Sequence, residues 1–142
     1  MLKRSVRAVV LFFSLITSVA SVNAQSTPKL KVDVPFQFIL NGQTLTAGTY
    51  TIERTDPARP NIITLKRVDD RIVRLVLTQR VETGNPSTAS SLIFIRREGK
   101  HYLFQVWTVG AMNGSEIPSA YKRERSARQR KDFTLVTLKA KH

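Results

Sequence analysis

Leu30-Lys31-Val32-Asp33-Val34-Pro35-Phe36-Gln37-Phe38-Ile39-Leu40 is apolar at every even position and mostly polar at the odd ones. Successive side chains of a strand point to opposite faces, so a period of two puts one apolar face on a core and leaves Lys31, Asp33, Pro35 and Gln37 outside. Pro35 has no N–H to give to a ladder and lies on the outward face, which marks an edge strand or a bulge.

Outward from this run the punctuation is that of a β-protein. Asn41-Gly42 tolerates positive φ and predicts a tight turn. A second turn is expected at Ala47-Gly48, after which Tyr50 to Arg54 alternates again. Residues 55–61, with two prolines, read as a loop, and strands resume over 62–68 and 71–81 with Asp69-Asp70 turning between them. In the second of these, Val73, Leu75, Leu77 and Val81 share one face, and Arg74, Thr78 and Arg80 the other. A polar loop over 82–90 leads to a hairpin of 91–97 and 101–109 closed by Glu98-Gly99-Lys100. The second arm is apolar on both faces and reads as a central strand, with Tyr102, Phe104 and Val106 on one side and Leu103, Trp107 and Val109 on the other. Gly110 to Gly114 ends it. Pro118 and Ser119 suit a helix start, and about 119–131 is expected to be helical before a last strand over 133–138. The fold class is therefore mainly β: a single antiparallel β-sandwich or barrel of about seven strands with one C-terminal basic helix on an edge or end.

The first 24 residues have another character. Lys3, Arg4 and Arg7 precede an uncharged run, residues 8–22, and Val22-Asn23-Ala24 fits the small-x-small rule for cleavage between Ala24 and Gln25. The run is short of the roughly 20 residues of a membrane-spanning helix, so a cleavable signal is expected rather than a retained anchor, with no transmembrane anchor after cleavage. Lys3-Arg4 is not an arginine pair, so the route is Sec-type. The expected destination is the periplasm or the exterior, and residues 25–142 form one β-rich domain. Without any cysteine, no disulfide supports that domain and no lipid is attached through a thiol.

Charge is the compositional outlier. The three bases of the signal leave 20 Lys+Arg against 10 Asp+Glu, a net charge of +10. The excess favours anionic partners and opposes self-association. Export removes intracellular nucleic acid, leaving envelope phosphate, anionic polysaccharide, lipid headgroups, extracellular nucleic acid or an acidic protein. Lys122, Arg123, Arg125, Arg128, Arg130 and Lys131 crowd the expected helix against one acid, Glu124. At 100° per residue the six cannot share one face: Lys122, Arg125 and Arg128 form one ridge and Arg123 and Arg130 another, beside a thin stripe of Ile117, Ala120, Tyr121, Glu124 and Ala127. These six are the candidate polyanion-binding residues, arginine being suited to bidentate contacts with phosphate or carboxylate. The plainer reading is a solvated charged face. The stripe lacks the bulk to insert into a membrane.

Signs of catalysis are sparse. His101 opens a strand and His142 is the last residue, with no strand-turn-helix nucleophile motif to serve either. There is no cysteine or histidine pair for zinc, no calcium-loop spacing and no glycine-rich phosphate loop, so no catalytic residue, metal or cofactor is expected. Asp69-Asp70 reads as turn-forming rather than as an acid–base pair. Trp107, Tyr102 and Phe104 read first as core. The expected role is a non-enzymatic, envelope-associated binding or accessory module. One alternative is a polyanion binder using the basic helix, and another is a small-molecule carrier or enzyme with a pocket inside a barrel.

Val32-Asp33-Val34-Pro35-Phe36-Gln37-Phe38, followed by Gly42, Leu45, Ala47-Gly48 and Tyr50, resembles the opening of a family of small exported β-proteins of soil bacteria, in which a PFxF…G…LxAGxY segment follows a signal peptide. Ser91-Leu92-Ile93-Phe94, Tyr102-Leu103-Phe104, Val106-Trp107 and the charged stretch after Pro118 are similar to the second half of that family. Thr46 stands where the family commonly has proline. The resemblance implies an exported all-β fold. The family has no known activity, so the resemblance brings no catalytic or binding residues.

Overall fold

A computed structural model describes residues 28–54, 56–118 and 134–141. They form eleven strands: β1 (Leu30–Val34), β2 (Phe38–Leu40), β3 (Gln43–Leu45), β4 (Gly48–Glu53), β5 (Ile62–Arg67), β6 (Val73–Leu77), β7 (Gln79–Glu82), β8 (Ser91–Arg97), β9 (Lys100–Trp107), β10 (Asn113–Glu116) and β11 (Thr134–Lys139). One sheet has the order β1-β4-β5-β6. The other runs β11-β8-β9-β10-β7, with β2 beside β9 and β3 beside β2. Pairing is antiparallel except for β2 along β9, where Ile39 meets Tyr102.

The alternating run that decides the fold class is two strands in two sheets. β1 pairs with β4 and β2 with β3 and β9, and Pro35 lies in the crossing. Its missing donor thus falls where no ladder exists. The alternation survives the crossing because inward means the same core for both sheets. Leu30, Val32, Val34, Phe38 and Leu40 are all buried, and Phe36 packs against them half-buried. A second crossing lies at Thr78, between β6 and β7, so the expected strand 71–81 is also divided. Thr78 is 4 % exposed, and its N–H and hydroxyl both donate to the Asn61 carbonyl, at 2.7 and 3.0 Å.

The sheets do not close into a barrel, so that half of the expected fold class is corrected. β6 and β7 belong to different sheets; the smaller sheet has edges at β1 and β6, and the branched larger one ends at β11, β7 and β3. On one side the edges are tied, since Lys141 N–H donates to the Lys31 carbonyl at 2.9 Å. The layer between the sheets is filled from both, by Val32, Ile52, Leu65 and Val76 of one and Leu92, Phe94, Leu103 and Val106 of the other. The rings of Phe38, Tyr50, Phe94 and Phe36 meet edge to face at 5.1–5.4 Å between centroids, the geometry aromatic pairs prefer. No buried side-chain polar atom among the described residues lacks a partner.

Two expectations of face are corrected. Val73, Leu75 and Leu77 do share a face, but it is the outer one, and Val76 points inward at 0 % exposure. In β9 the strict alternation fails, because Leu103 and Val106 are both buried. A bulge causes this: Ile93 pairs with Gln105 but Phe94 with Leu103, so Phe104 is the extra residue and the parity switches there. Gly114 is also not a strand breaker; it lies within β10. The expected helix over 119–131 and the Ala24–Gln25 junction lie outside the described residues.

Candidate functional site

The basic segment Lys122, Arg123, Arg125, Arg128, Arg130, Lys131 lies outside the described residues, but the points where the chain leaves and rejoins the fold are defined. Ile117 N–H donates to the Phe104 carbonyl at 2.8 Å, continuing β10 along β9. Thr134 opens β11 opposite Arg96 of β8. Strand direction places both points toward the end of the larger sheet where the β8–β9 hairpin turns.

That hairpin is itself basic. Glu98 and Gly99 turn it with φ of 49° and 73°, the left-handed region a two-residue turn of this kind needs. Cross-strand partners are Arg96 with His101 and Arg97 with Lys100. The second pair places two cations directly opposite one another, an arrangement that an acid or an anion relieves. Glu98 is the one acid in the turn, 3.9 Å from Arg97. Arg96 and Lys100 are exposed. His101 is half-buried beneath Phe36, with ring centroids 3.8 Å apart and planes within 15°. Partial burial, and then the Arg96 charge, hold its pKa below the ordinary histidine value.

Other polar groupings are built differently. Asp69 receives both Nε and Nη2 of Arg67, at 2.6 and 2.9 Å, and that guanidinium holds its carboxyl below the usual carboxylate range. Asp70 accepts from the Ile72 N–H at 3.0 Å. Both are turn-forming, as the sequence indicated. On the outer face of β1 and β4, Lys29, Lys31, Asp33, Thr49, Thr51 and Lys141 line a shallow open surface. There the Lys141 ammonium and the Thr49 hydroxyl both donate to Asp33 and lower its pKa. Between the sheets, Leu30, Ile52, Ile63 and Val106 line a cavity of about 20 Å³, room for a single water. Arg54 beside it donates to the Ser115 hydroxyl at 2.9 Å. Among the described residues no three His, Asp or Glu side chains converge as a metal would require, and no helix is long and apolar enough to cross a membrane.

Trp107 is placed by β10. Its indole lies across Gly114, where an added Cβ would stand 2.8 Å from the ring. Its N–H donates to Gln105, whose amide donates in turn to Glu116. Trp107 is thus fixed by its neighbours, but none of Tyr102, Phe104 and Trp107 is in the core: all three are half-buried. The basic hairpin escaped the sequence reading, although Arg96-Arg97-Glu98-Gly99-Lys100-His101 shows it: a turn with bases on both arms must bring them face to face.

Comparison with protein-family models, with curated proteins and with solved structures finds no match.

Proposed function

We propose that this chain is an exported, non-enzymatic β-domain that serves as a binding or accessory module of the cell envelope. It docks on an anionic component through Lys122, Arg123, Arg125, Arg128, Arg130 and Lys131. One observation carries the reading. The segment bearing these six bases leaves and rejoins the fold beside a hairpin that carries Arg96, Arg97 and Lys100, with Arg97 and Lys100 directly opposite one another. A concentration of like charge on one end of a domain raises the local potential and steers anions to it. Arginine supplies the forked donors that grip phosphate, sulfate or carboxylate.

Retention on immobilised heparin at low salt tests the proposal. The chain with Arg123, Arg125, Arg128 and Arg130 all replaced by glutamine is expected to flow through, while the parent is retained and elutes with salt. Equal retention of the two chains would remove the segment from the binding surface.

A further inference from the structure

We infer that the outer edge of β6 is a dimerisation edge that takes β6 of a second copy of this chain in antiparallel register. Among the described residues nothing pairs with that edge. Its hydrogen-bonding phase follows from the ladder on its other side. Thr78 N–H donates to Asn61. Bonded pairs alternate along an antiparallel ladder. With the unbroken register from Ile62↔Leu77 to Lys66↔Val73, Arg74 and Val76 direct their backbone groups to β5. The N–H and C=O groups of Val73, Leu75 and Leu77 therefore point off the sheet.

The side chains of the same three residues are 50, 69 and 61 % exposed, and Val68 and Ile72 extend the apolar surface beside them. The strand has no proline and no bulge. Its one edge-guarding charge is Arg74, on the inward face.

A two-fold axis through Leu75 satisfies this edge without a register slip. Leu75 then meets Leu75 of the copy, and Val73 meets Leu77. Each of these is a bonded pair that exchanges two backbone hydrogen bonds. On the outer face apolar side chains meet apolar ones. On the inner face Arg74 meets Val76, so no like charges stand directly opposite. The incoming Arg74 and Val76 enter an open cleft beside β6, lined by Leu40, Asn41 and Gln43.

The contact is small. Five residues of strand with their apolar margin bury roughly 500 Å² per partner, against about 800 Å² for a standard interface. The dimer is therefore weak and concentration-dependent. Because each copy carries a large positive charge, added salt strengthens it by screening, opposite to the effect of salt on polyanion binding.

Sedimentation of the chain, expressed in full and purified after its own processing, tests the inference from low-micromolar to millimolar concentration. Leu75→Lys sets two charges against each other on the axis. Leu75→Pro removes a donor from the free edge and none from the β5 ladder. A reversible dimer is expected that tightens with salt and weakens at least about tenfold in both variants. A monomer throughout, a dimer indifferent to both substitutions, or an edge that pairs only with an added acidic strand peptide would each overturn the inference.

Discussion

At the scale of single residues, packing decides which glycines and aromatics are fixed. Gly114 stands opposite Trp107, and any side chain there meets the indole. Gly84 has open space around its Cβ direction and no positive φ. Gly114→Val is accordingly expected to cost about 1–3 kcal/mol by overpacking, and Gly84→Ala to stay within about 0.5 kcal/mol of the parent. Thermal melts measure both. Trp107 is the one tryptophan in the chain, so its fluorescence reports displacement in the first variant and none in the second. His101 supplies a pH dependence. Its pKa is lowered in the folded state, so the unfolded chain takes up the proton first. Stability from the neutral imidazole is present above the ordinary value of about 6.5 and is lost as pH falls through the folded value. The urea midpoint is expected to drop over that interval in the parent and to be flatter in His101→Gln. The carboxyls of Asp33, Asp56 and Asp69, lowered by their hydrogen-bonded bases and donors, lose their contribution only as pH falls below the ordinary carboxylate range.

At the scale of elements, the sequence was informative about phase and less so about side. The run Leu30 to Leu40 displays its inward residues correctly. Nothing in it marks the passage from one sheet to the other except Pro35, whose missing donor fits a bulge, an edge or a crossing equally well. β6 shows the converse. Its apolar residues at alternate positions suggest a core face, yet the register with β5 fixes the opposite one, because Ile63 is in the core and Val76 is its partner. Neighbouring strands, not local composition, set the side. β10 was illegible because Asn113-Gly114-Ser115-Glu116 has the residues of a turn. It becomes a strand by pairing with both β7 and β9. The parity switch in β9 came from an extra residue in the ladder, which no period within one strand reveals. Two truncations check the face assignment of β6. Val76→Ala, at a fully buried site, is expected to cost about 2 kcal/mol from lost burial and the cavity left behind. Leu75→Ala, at low protein concentration, stays within about 0.5 kcal/mol because its side chain is already in water. Comparable losses in the two variants would reverse the assignment.

At the scale of the whole molecule, charge and apolar surface are separated. The bases of the β8–β9 hairpin and the ends of the basic segment collect toward one end of the larger sheet, while the apolar edge belongs to the smaller sheet. The proposed polyanion docking and the inferred dimer are predicted to respond to salt in opposite directions, so one titration series separates them. The candidate surface was half legible in the sequence. The crowding of Lys122 to Lys131 is visible in composition alone. That it leaves the fold beside Phe104 of β9 and rejoins it opposite Arg96 of β8 depends on strand order, which a linear reading does not contain.

The affinity of the chain for a duplex DNA fragment, as a reference polyanion, measured across a series of salt concentrations, tests docking through the basic segment most directly. Each phosphate contact contributes roughly −0.9 to the slope of log affinity against log salt. The parent is expected to show a steep slope, and the chain with Arg123, Arg125, Arg128 and Arg130 replaced by glutamine a distinctly shallower one with much weaker binding at low salt. Equal slopes and equal affinities in the two chains would contradict the account.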